Sequence, residues 1–98
     1  MKYDNCYNEG VPAKTRYTSM SGALISTNRD IFYSICNWGD EEVTEWAPEI
    51  ANSWRTTPDI EIYQSKTNQW QWMKGNFIQN MQYSAKAGPG IWNDPDML

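Results

Sequence analysis

The chain has 98 residues, with 8 lysines and arginines against 12 aspartates and glutamates, and a net charge of −4. This length suits one small domain, and the negative charge argues against a nucleic-acid or anionic-membrane partner, which would favour a basic patch. The absence of histidine and the presence of only two cysteines exclude His-based triads, His-containing metal sites and a structural zinc site made by cysteine alone.

The chain opens with a predicted strand over residues 1–6, which a polar loop ends. Alternate residues of a strand point to the same side, so Lys2 and Asp4 share a face. A nearby ammonium favours the ionised form of a carboxylate, and Asp4 is therefore a candidate nucleophile or ligand anchor. The alternative is a surface ion pair.

A helix is predicted next, over residues 13–24, because Tyr17, Met20 and Leu24 recur at i, i+3 and i+7. The run at residues 31–36 consists of β-branched, aromatic and small residues, and polar residues do not alternate with apolar ones. Such a run is typical of a strand covered on both faces, as in a parallel sheet.

A second helix is predicted after this strand. Glu41, Glu42 and Glu45 place negative charge in its first turns, where the helix dipole favours it. Pro48 is expected to shorten or kink the helix. Residues 52–57 then predict a third strand with its loop.

The third helix has the clearest periodicity and is predicted over residues 66–83. Its apolar stripe consists of Trp70, Met73, Phe77 and Met81. Residues 88–96 predict a short strand that leads into a carboxylate-rich loop.

This order, β-α-β-α-β-α-β, predicts right-handed crossovers and a parallel sheet, and thus the α/β class. The working residues of such sheets lie at the carboxyl ends of the strands. The conspicuous polar residues predicted at these ends are Asp4, Cys36, Asn37, Arg55, Asp59, Asp94 and Asp96.

Two carboxylates at the ends of different strands suit glycoside hydrolysis, which needs one ionised and one protonated carboxyl group. Lys2 would keep Asp4 anionic, whereas partial desolvation would raise the pKa of Asp59 and let it donate a proton. Arg55 has the fork geometry to hold two sugar hydroxyls. The six Trp and six Tyr could stack on sugar rings or simply pack in the core. The alternative for the acids is a set of solvated loop carboxylates.

Four stretches carry a resemblance to a known family. They read KYDNC at 2–6, YSICNWG at 33–39, NSWRTTPDI at 52–60 and GPGIWNDPDML at 88–98. In order and spacing they resemble the signature motifs of the α-galactosidases (melibiases) of glycoside hydrolase family 27, and the fungal members most.

The resemblance implies a partial (β/α)₈ TIM barrel, roughly strands 4 to 7 with their helices. It also implies release of terminal α-linked galactose by a retaining double displacement, for which the two carboxyl groups lie about 5–5.5 Å apart. Asp4 matches the nucleophile and Asp59 the acid/base, while Lys2 and Arg55 match residues that bind the galactose hydroxyls. No cofactor is implied, and the expected partner is an α-galactoside substrate.

The resemblance also assigns the pocket wall. Cys36 and Trp38 match positions around the sugar 2-substituent, where the related α-N-acetylgalactosaminidases carry small residues, so galactose is favoured. Asp96 and Met97 match a further pocket edge. Cys6 matches a cysteine whose disulfide partner lies upstream of this chain.

By this resemblance the chain is an internal fragment of a secreted enzyme, with the remaining strands and a C-terminal β-sandwich outside it. The absence of a signal peptide would then carry no information. Open sheet edges predict that the isolated chain is inactive. One departure from the family pattern is Ile91, where Gly or His is more usual. An α-N-acetylgalactosaminidase and a non-catalytic sugar-binding barrel are the alternatives.

Overall fold

The computed structural model describes residues 1–60 and 69–96. The strands are β1 (Lys2–Asp4), β2 (Ser34–Cys36), β3 (Ser53–Arg55) and β4 (Trp92–Asp94), and the helices are α1 (Ala13–Ser26), α2 (Val43–Trp46) and α3 (Gln69–Met81). Short 3₁₀ turns cover Ala47–Glu49 and Ser84–Lys86. In these two ranges no helix combines the length and apolar character that a membrane span requires.

The four strands form one parallel sheet in the order β1-β2-β3-β4. Each strand therefore lies beside the next one in the chain, and a helical segment lies between each pair in sequence. This is the arrangement of consecutive units in a β/α barrel. The predicted element order and the parallel sheet are confirmed.

The core lies between one face of the sheet and helices α1 and α2. Ile35 and Trp54, neighbours on β2 and β3, are fully buried there. Tyr17 of α1 packs edge-on against Tyr3, with ring centroids 5.0 Å apart, and stacks on Trp46 at 6.0 Å. The predicted stripe of α1 thus faces the core, because Met20 and Leu24 also pack against this cluster.

Helix α2 is short, as the position of Pro48 predicts. It covers Val43–Trp46 and gives way to a 3₁₀ turn at Pro48. Glu41 and Glu42 precede it in left-handed conformations, with φ of 51° each. The Glu41 carboxylate accepts a 2.9 Å hydrogen bond from the N–H of Ala13, so its charge serves the start of α1 rather than α2.

Helix α3 is confirmed, but its apolar stripe does not face the core. Trp70 is 69 % exposed, and Phe77 and Met81 are also exposed, whereas Asn76 is buried at 3 %. Residues 66–68, where the helix was predicted to begin, lie outside the described residues. The face of α3 that meets the loops beside β3 and β4 is therefore polar.

Candidate active site

A row of polar side chains crosses the carboxyl end of the sheet. The strand register aligns Asp4 with Cys36, and Arg55 with Asp94. The Nη1 atom of Arg55 lies 3.9 Å from the sulfur of Cys36, which joins the two halves of the row. Four strands thus contribute neighbouring polar side chains to one edge, as parallel strands with their carboxyl ends together dictate.

The Asp4 carboxylate is held in its anionic form. Its Oδ1 atom accepts a 3.1 Å hydrogen bond from the N–H of Cys6. Partial burial of Asp4 raises its pKa, but hydrogen bonds from the thiol and N–H of Cys6 and from the thiol of Cys36 outweigh that effect, and the pKa falls below its ordinary value of 3.8. These hydrogen bonds are the main cause of the lowered pKa, whereas the sequence predicts the ammonium of Lys2 in that role.

The Cys36 thiol lies between opposite charges. Its burial raises its pKa to about 11; the positive charge of Lys2 opposes this rise, and the carboxylate of Asp4 adds to it. The sulfur therefore stays protonated at neutral pH and can donate to Asp4. Lys2 and Asp4 thus both act on Cys36, which is the register partner of Asp4.

Arg55 is buried and binds two carboxylates. Its Nη1 atom lies 2.9 Å from Oδ1 of Asp59 and 2.9 Å from Oδ1 of Asp96. Its Nη2 atom donates a 3.1 Å hydrogen bond to the carbonyl of Thr57. The guanidinium predicted to hold sugar hydroxyls therefore organises the loops that follow β3 and β4.

Asp59 is more exposed to solvent than its sequence neighbours predict. Its side chain is 63 % exposed, because Pro58 and Asp59 project together from the loop after β3, so the expected desolvation is absent. Arg55 links Asp59 to the row of polar side chains, because its Nη1 atom lies 2.9 Å from Asp59 and 3.9 Å from the sulfur of Cys36, the register partner of Asp4. The pKa of the Cys6 thiol is raised first by its hydrogen bond to Asp4, and further by the negative charges of both Asp4 and Asp59. Both acids therefore lie within electrostatic reach of the same thiol.

Asn76 of α3 is a site residue that the sequence analysis missed. Its Nδ2 atom donates to the carbonyl of Pro58 at 2.9 Å and to that of Pro95 at 3.2 Å. These two prolines directly precede the carboxylates that bind Arg55. The Oδ2 atom of Asp96 accepts a 2.7 Å hydrogen bond from the N–H of Ile60, which closes the link between the two loops.

A polar stripe on α3 is the sequence signal that could have identified this role. Gln79 donates to the carbonyl of Thr56 at 2.9 Å, and the Oδ1 atom of Asn80 accepts from the Thr56 hydroxyl at 2.7 Å. Together with Asn76 these residues occur at i, i+3 and i+4, on one helix face. This polar face, which lies beside the apolar stripe, is the one that positions the site.

The remaining predicted residues are placed as follows. Trp38 is half-buried just after β2 with φ of 61°, and it lines a groove that also contains Asp59. Met97 lies outside the described residues. Cys6 and Cys36 are both free thiols, the first exposed and the second buried, so they are not each other's disulfide partner.

Comparisons with known proteins agree on one family. The family model described as Alpha galactosidase A matches residues 1–98. Alpha-galactosidase 2 of Arabidopsis thaliana is 47 % identical over 98 residues, which is all of this chain and 23 % of the relative. The chain thus spans about a quarter of the length of the curated relatives it matches.

Solved structures give the same result at the level of the fold. Alpha-galactosidase I from Mortierella vinacea superposes with a TM-score of 0.84 at 33 % identity, over 99 % of this chain and 29 % of that one. A structure of the Saccharomyces cerevisiae alpha-galactosidase with raffinose gives a TM-score of 0.76 at 31 % identity, over 97 % and 26 % of the two chains.

Proposed function

Because the chain belongs to the Alpha galactosidase A family, we propose that the protein carrying it is a retaining glycoside hydrolase that releases terminal α-linked galactose. The observation that supports this proposal is that Asp4 ends β1 and Asp59 lies in the loop after β3, at the same edge of one parallel sheet, with Asp4 held anionic. Asp4 is kept charged by hydrogen bonds, and Asp59 lies within electrostatic reach of the same Cys6 thiol. Retaining hydrolysis needs one ionised carboxylate and one acid at the scissile bond.

Asp4 serves as the nucleophile in this proposal. Its carboxylate attacks the anomeric carbon and forms a glycosyl ester, while Asp59 gives its proton to the departing oxygen. Asp59 then takes a proton from water, whose oxygen displaces Asp4 and restores the α configuration. Lys2 binds galactose hydroxyls at the edge of the sheet, while the buried Arg55 holds the loops that carry Asp59 and Asp96.

Galactose is the proposed sugar at this site. In this proposal the Cys36 and Trp38 side chains lie beside the sugar 2-position and favour a hydroxyl there over an acetamide, and Asp96 belongs to a further edge of the pocket. The raffinose in the yeast structure supports α-galactosyl oligosaccharides as the substrate class. An α-N-acetylgalactosaminidase is the alternative, and it would hydrolyse the nitrophenyl glycosides of both sugars at comparable rates.

The chain is further proposed to be part of a longer catalytic (β/α)₈ barrel domain, followed by a β-sandwich, in a secreted enzyme. Its match to about a quarter of its relatives' length supports this. In that enzyme Cys6 forms a disulfide with a cysteine outside these 98 residues. The isolated chain is expected to be inactive, because the sheet edges at β1 and β4 need partners.

Site-directed variants of the full-length protein test the proposed roles. Asp4→Asn should lower kcat on nitrophenyl α-galactoside by about 10³-fold or more, with the folded state preserved. Glu45→Gln is the matched control, because Glu45 pairs with Lys86 on the exposed surface. Near-normal activity of Asp4→Asn would refute the assignment.

A further inference from the structure

Arg16 of helix α1 holds both ends of the loop that follows the proposed nucleophile. This loop covers residues 5–12, between Asp4 at the end of β1 and the start of α1. The Nη2 atom of Arg16 donates a hydrogen bond to Oδ1 of Asn5, and its Nε atom donates one of 3.0 Å to the carbonyl of Val11. One guanidinium thus joins the first residue of the loop to its last turn.

The conformation of this loop explains why such a contact matters. Tyr7 and Glu9 adopt left-handed conformations with φ of 54° and 53°, which cost free energy in residues other than glycine. Both side chains are exposed, Tyr7 at 98 %, so neither packs the loop against the described part of the chain. Backbone strain of this kind persists only where surrounding contacts fix the chain. Arg16 supplies two such contacts.

The loop also provides hydrogen-bond donors to the Asp4 carboxylate. The N–H of Cys6 donates to Oδ1 of Asp4 at 3.1 Å, and the N–H of Asn5 also lowers the pKa of Asp4. A backbone N–H turns only with the backbone itself, because the peptide unit is planar. The direction of both donors therefore depends on how Asn5, which is 5 % exposed, is held in place.

Arg16 acts on Asp4 through Asn5 rather than by direct contact. The titratable or charged groups around Asp4 and its register partner Cys36 are Lys2, Cys6, Tyr17 and Arg55. Among the described residues, Arg16 is not a hydrogen-bond donor to Asp4. Its guanidinium carbon lies 5.2 Å from the ring centroid of Tyr17, a cation–π contact that further restricts the side chain.

On these grounds we propose that Arg16 is a positioning residue for the nucleophile: by holding Asn5, it directs the backbone donors of residues 5 and 6 at the Asp4 carboxylate. This inference rests on the proposed function, in which Asp4 attacks the anomeric carbon. It adds that a residue of α1 that does not bind Asp4 sets the orientation of the reacting carboxylate.

A double-mutant cycle on the full-length protein tests the route from Arg16 to Asp4. Arg16→Met keeps the apolar stem but removes the guanidinium, and Asn5→Ala removes the side-chain carbonyl that accepts from it. Each variant should lower kcat on nitrophenyl α-galactoside about tenfold and change KM less than about twofold. The pH at which kcat/KM falls on the acid side should rise by about half a unit, because Asp4 loses well-directed donors.

The double variant should show no more than the larger of the two single effects, since both substitutions break the same contact. Arg16→Lys keeps the positive charge but replaces the two guanidinium nitrogens with one ammonium, so it should restore less than about half of the lost kcat. Circular dichroism checks folding, and Arg16→Lys takes the place of Arg16→Met in the cycle if the latter does not fold.

Arg29→Met is the matched control, because it makes the same substitution at an exposed arginine beyond the end of α1. It should leave kcat and the pH profile unchanged. Wild-type kcat and pH profile in Arg16→Met, full recovery in Arg16→Lys, or additive effects in the double variant would overturn the inference. Failure of the wild-type protein to cleave nitrophenyl α-galactoside would instead overturn the proposed function.

Discussion

The guanidinium of Arg55 and the carboxylate of Asp96 form an ion pair 2.9 Å long, with side chains that are 1 % and 12 % exposed. Arg55 lies at the end of β3 and Asp96 just after β4. Since Arg55 also binds Asp59, one buried cation joins the two loops that carry the carboxylates. The position of the Asp59 carboxyl group therefore depends on Arg55, a residue of the sheet itself.

Removal of Asp96 tests this dependence. Asp96→Ala leaves the buried guanidinium with Asp59 alone and frees the N–H of Ile60. We expect a loss of about 2 kcal/mol in the free energy of unfolding, since the buried guanidinium and the N–H of Ile60 each lose a hydrogen bond to a charged group. Urea unfolding of the full-length variant measures it. Lys86→Ala, which breaks a surface pair with Glu45, should cost less than about 1 kcal/mol; equal costs for the two variants would contradict the account.

The same substitution, Asn to Asp, should have a large effect on stability at Asn76 and a small effect at Asn80. Asn76→Asp replaces a donor to two carbonyls with an acceptor, and should destabilise the protein by about 2 kcal/mol or more. Asn80→Asp keeps the acceptor that Thr56 uses, and should change stability by less than about 0.5 kcal/mol. Urea unfolding compares the two variants.

The Asn76 substitution should also affect catalysis through the loops it holds. Because Asn76 touches the carbonyls of Pro58 and Pro95 but not the reacting atoms, Asn76→Asp should lower kcat more than it raises KM. A variant that unfolds more easily yet keeps the wild-type kcat would show that Asn76 stabilises the fold without positioning Asp59.

Gly39 occupies a position that excludes a side chain. Its φ is 90°, and an added Cβ would lie 2.6 Å from the carbonyl oxygen of Thr56. Gly39→Ala should therefore destabilise the protein by about 2 kcal/mol, combining backbone strain with a steric clash. Gly75→Ala on α3 is the control, because it meets no atom within 4 Å and should stabilise the helix by roughly 0.5–1 kcal/mol. Thermal unfolding of both variants checks the difference, and a tolerated Gly39→Ala would contradict the close approach of the two loops.

The lowered pKa of Asp4 predicts a pH dependence. A carboxylate whose folded pKa lies below its ordinary value of 3.8 stabilises the folded state above that pH, and this contribution is lost as pH falls through the folded pKa. If Asp4 is the nucleophile, kcat/KM should fall on the acid side of its pH profile, the acid limb, only below pH 3.8.

The Cys36 thiol gives this prediction a specific control. Cys36→Ala removes one hydrogen bond to Asp4, so the acid limb should move to higher pH. Circular dichroism over the same pH range separates loss of activity from unfolding. An acid limb above pH 3.8 that Cys36→Ala does not move would show that Asp4 is not the titrating group.

Much of the fold could be predicted from local sequence patterns. Period-two alternation set Lys2 and Asp4 on one face, and the stripe of Tyr17, Met20 and Leu24 indicated both the helix and its buried side. These patterns suffice because each residue's partner lies on the same element or on the neighbouring strand.

The orientation of α3 shows where such reasoning fails. The spacing of Trp70, Phe77 and Met81 predicts a helix but does not say what covers its apolar stripe. The inward contacts of Asn76 depend on the carbonyls of two loops that are distant in sequence, Pro58 and Pro95. The exposure of Asp59 was missed for a related reason, since its apolar neighbour Pro58 projects outward with it.

The most direct test of the central claim is covalent labelling of the nucleophile. An α-galactosyl fluoride with a second fluorine on the ring should form a glycosyl-enzyme that breaks down slowly, because the fluorine destabilises positive charge in the transition state. Digestion and mass spectrometry of the labelled full-length protein should find the sugar on Asp4. A sugar on Asp59, or hydrolysis of the substrate to the ring-fluorinated β-galactose without any adduct, would contradict the account.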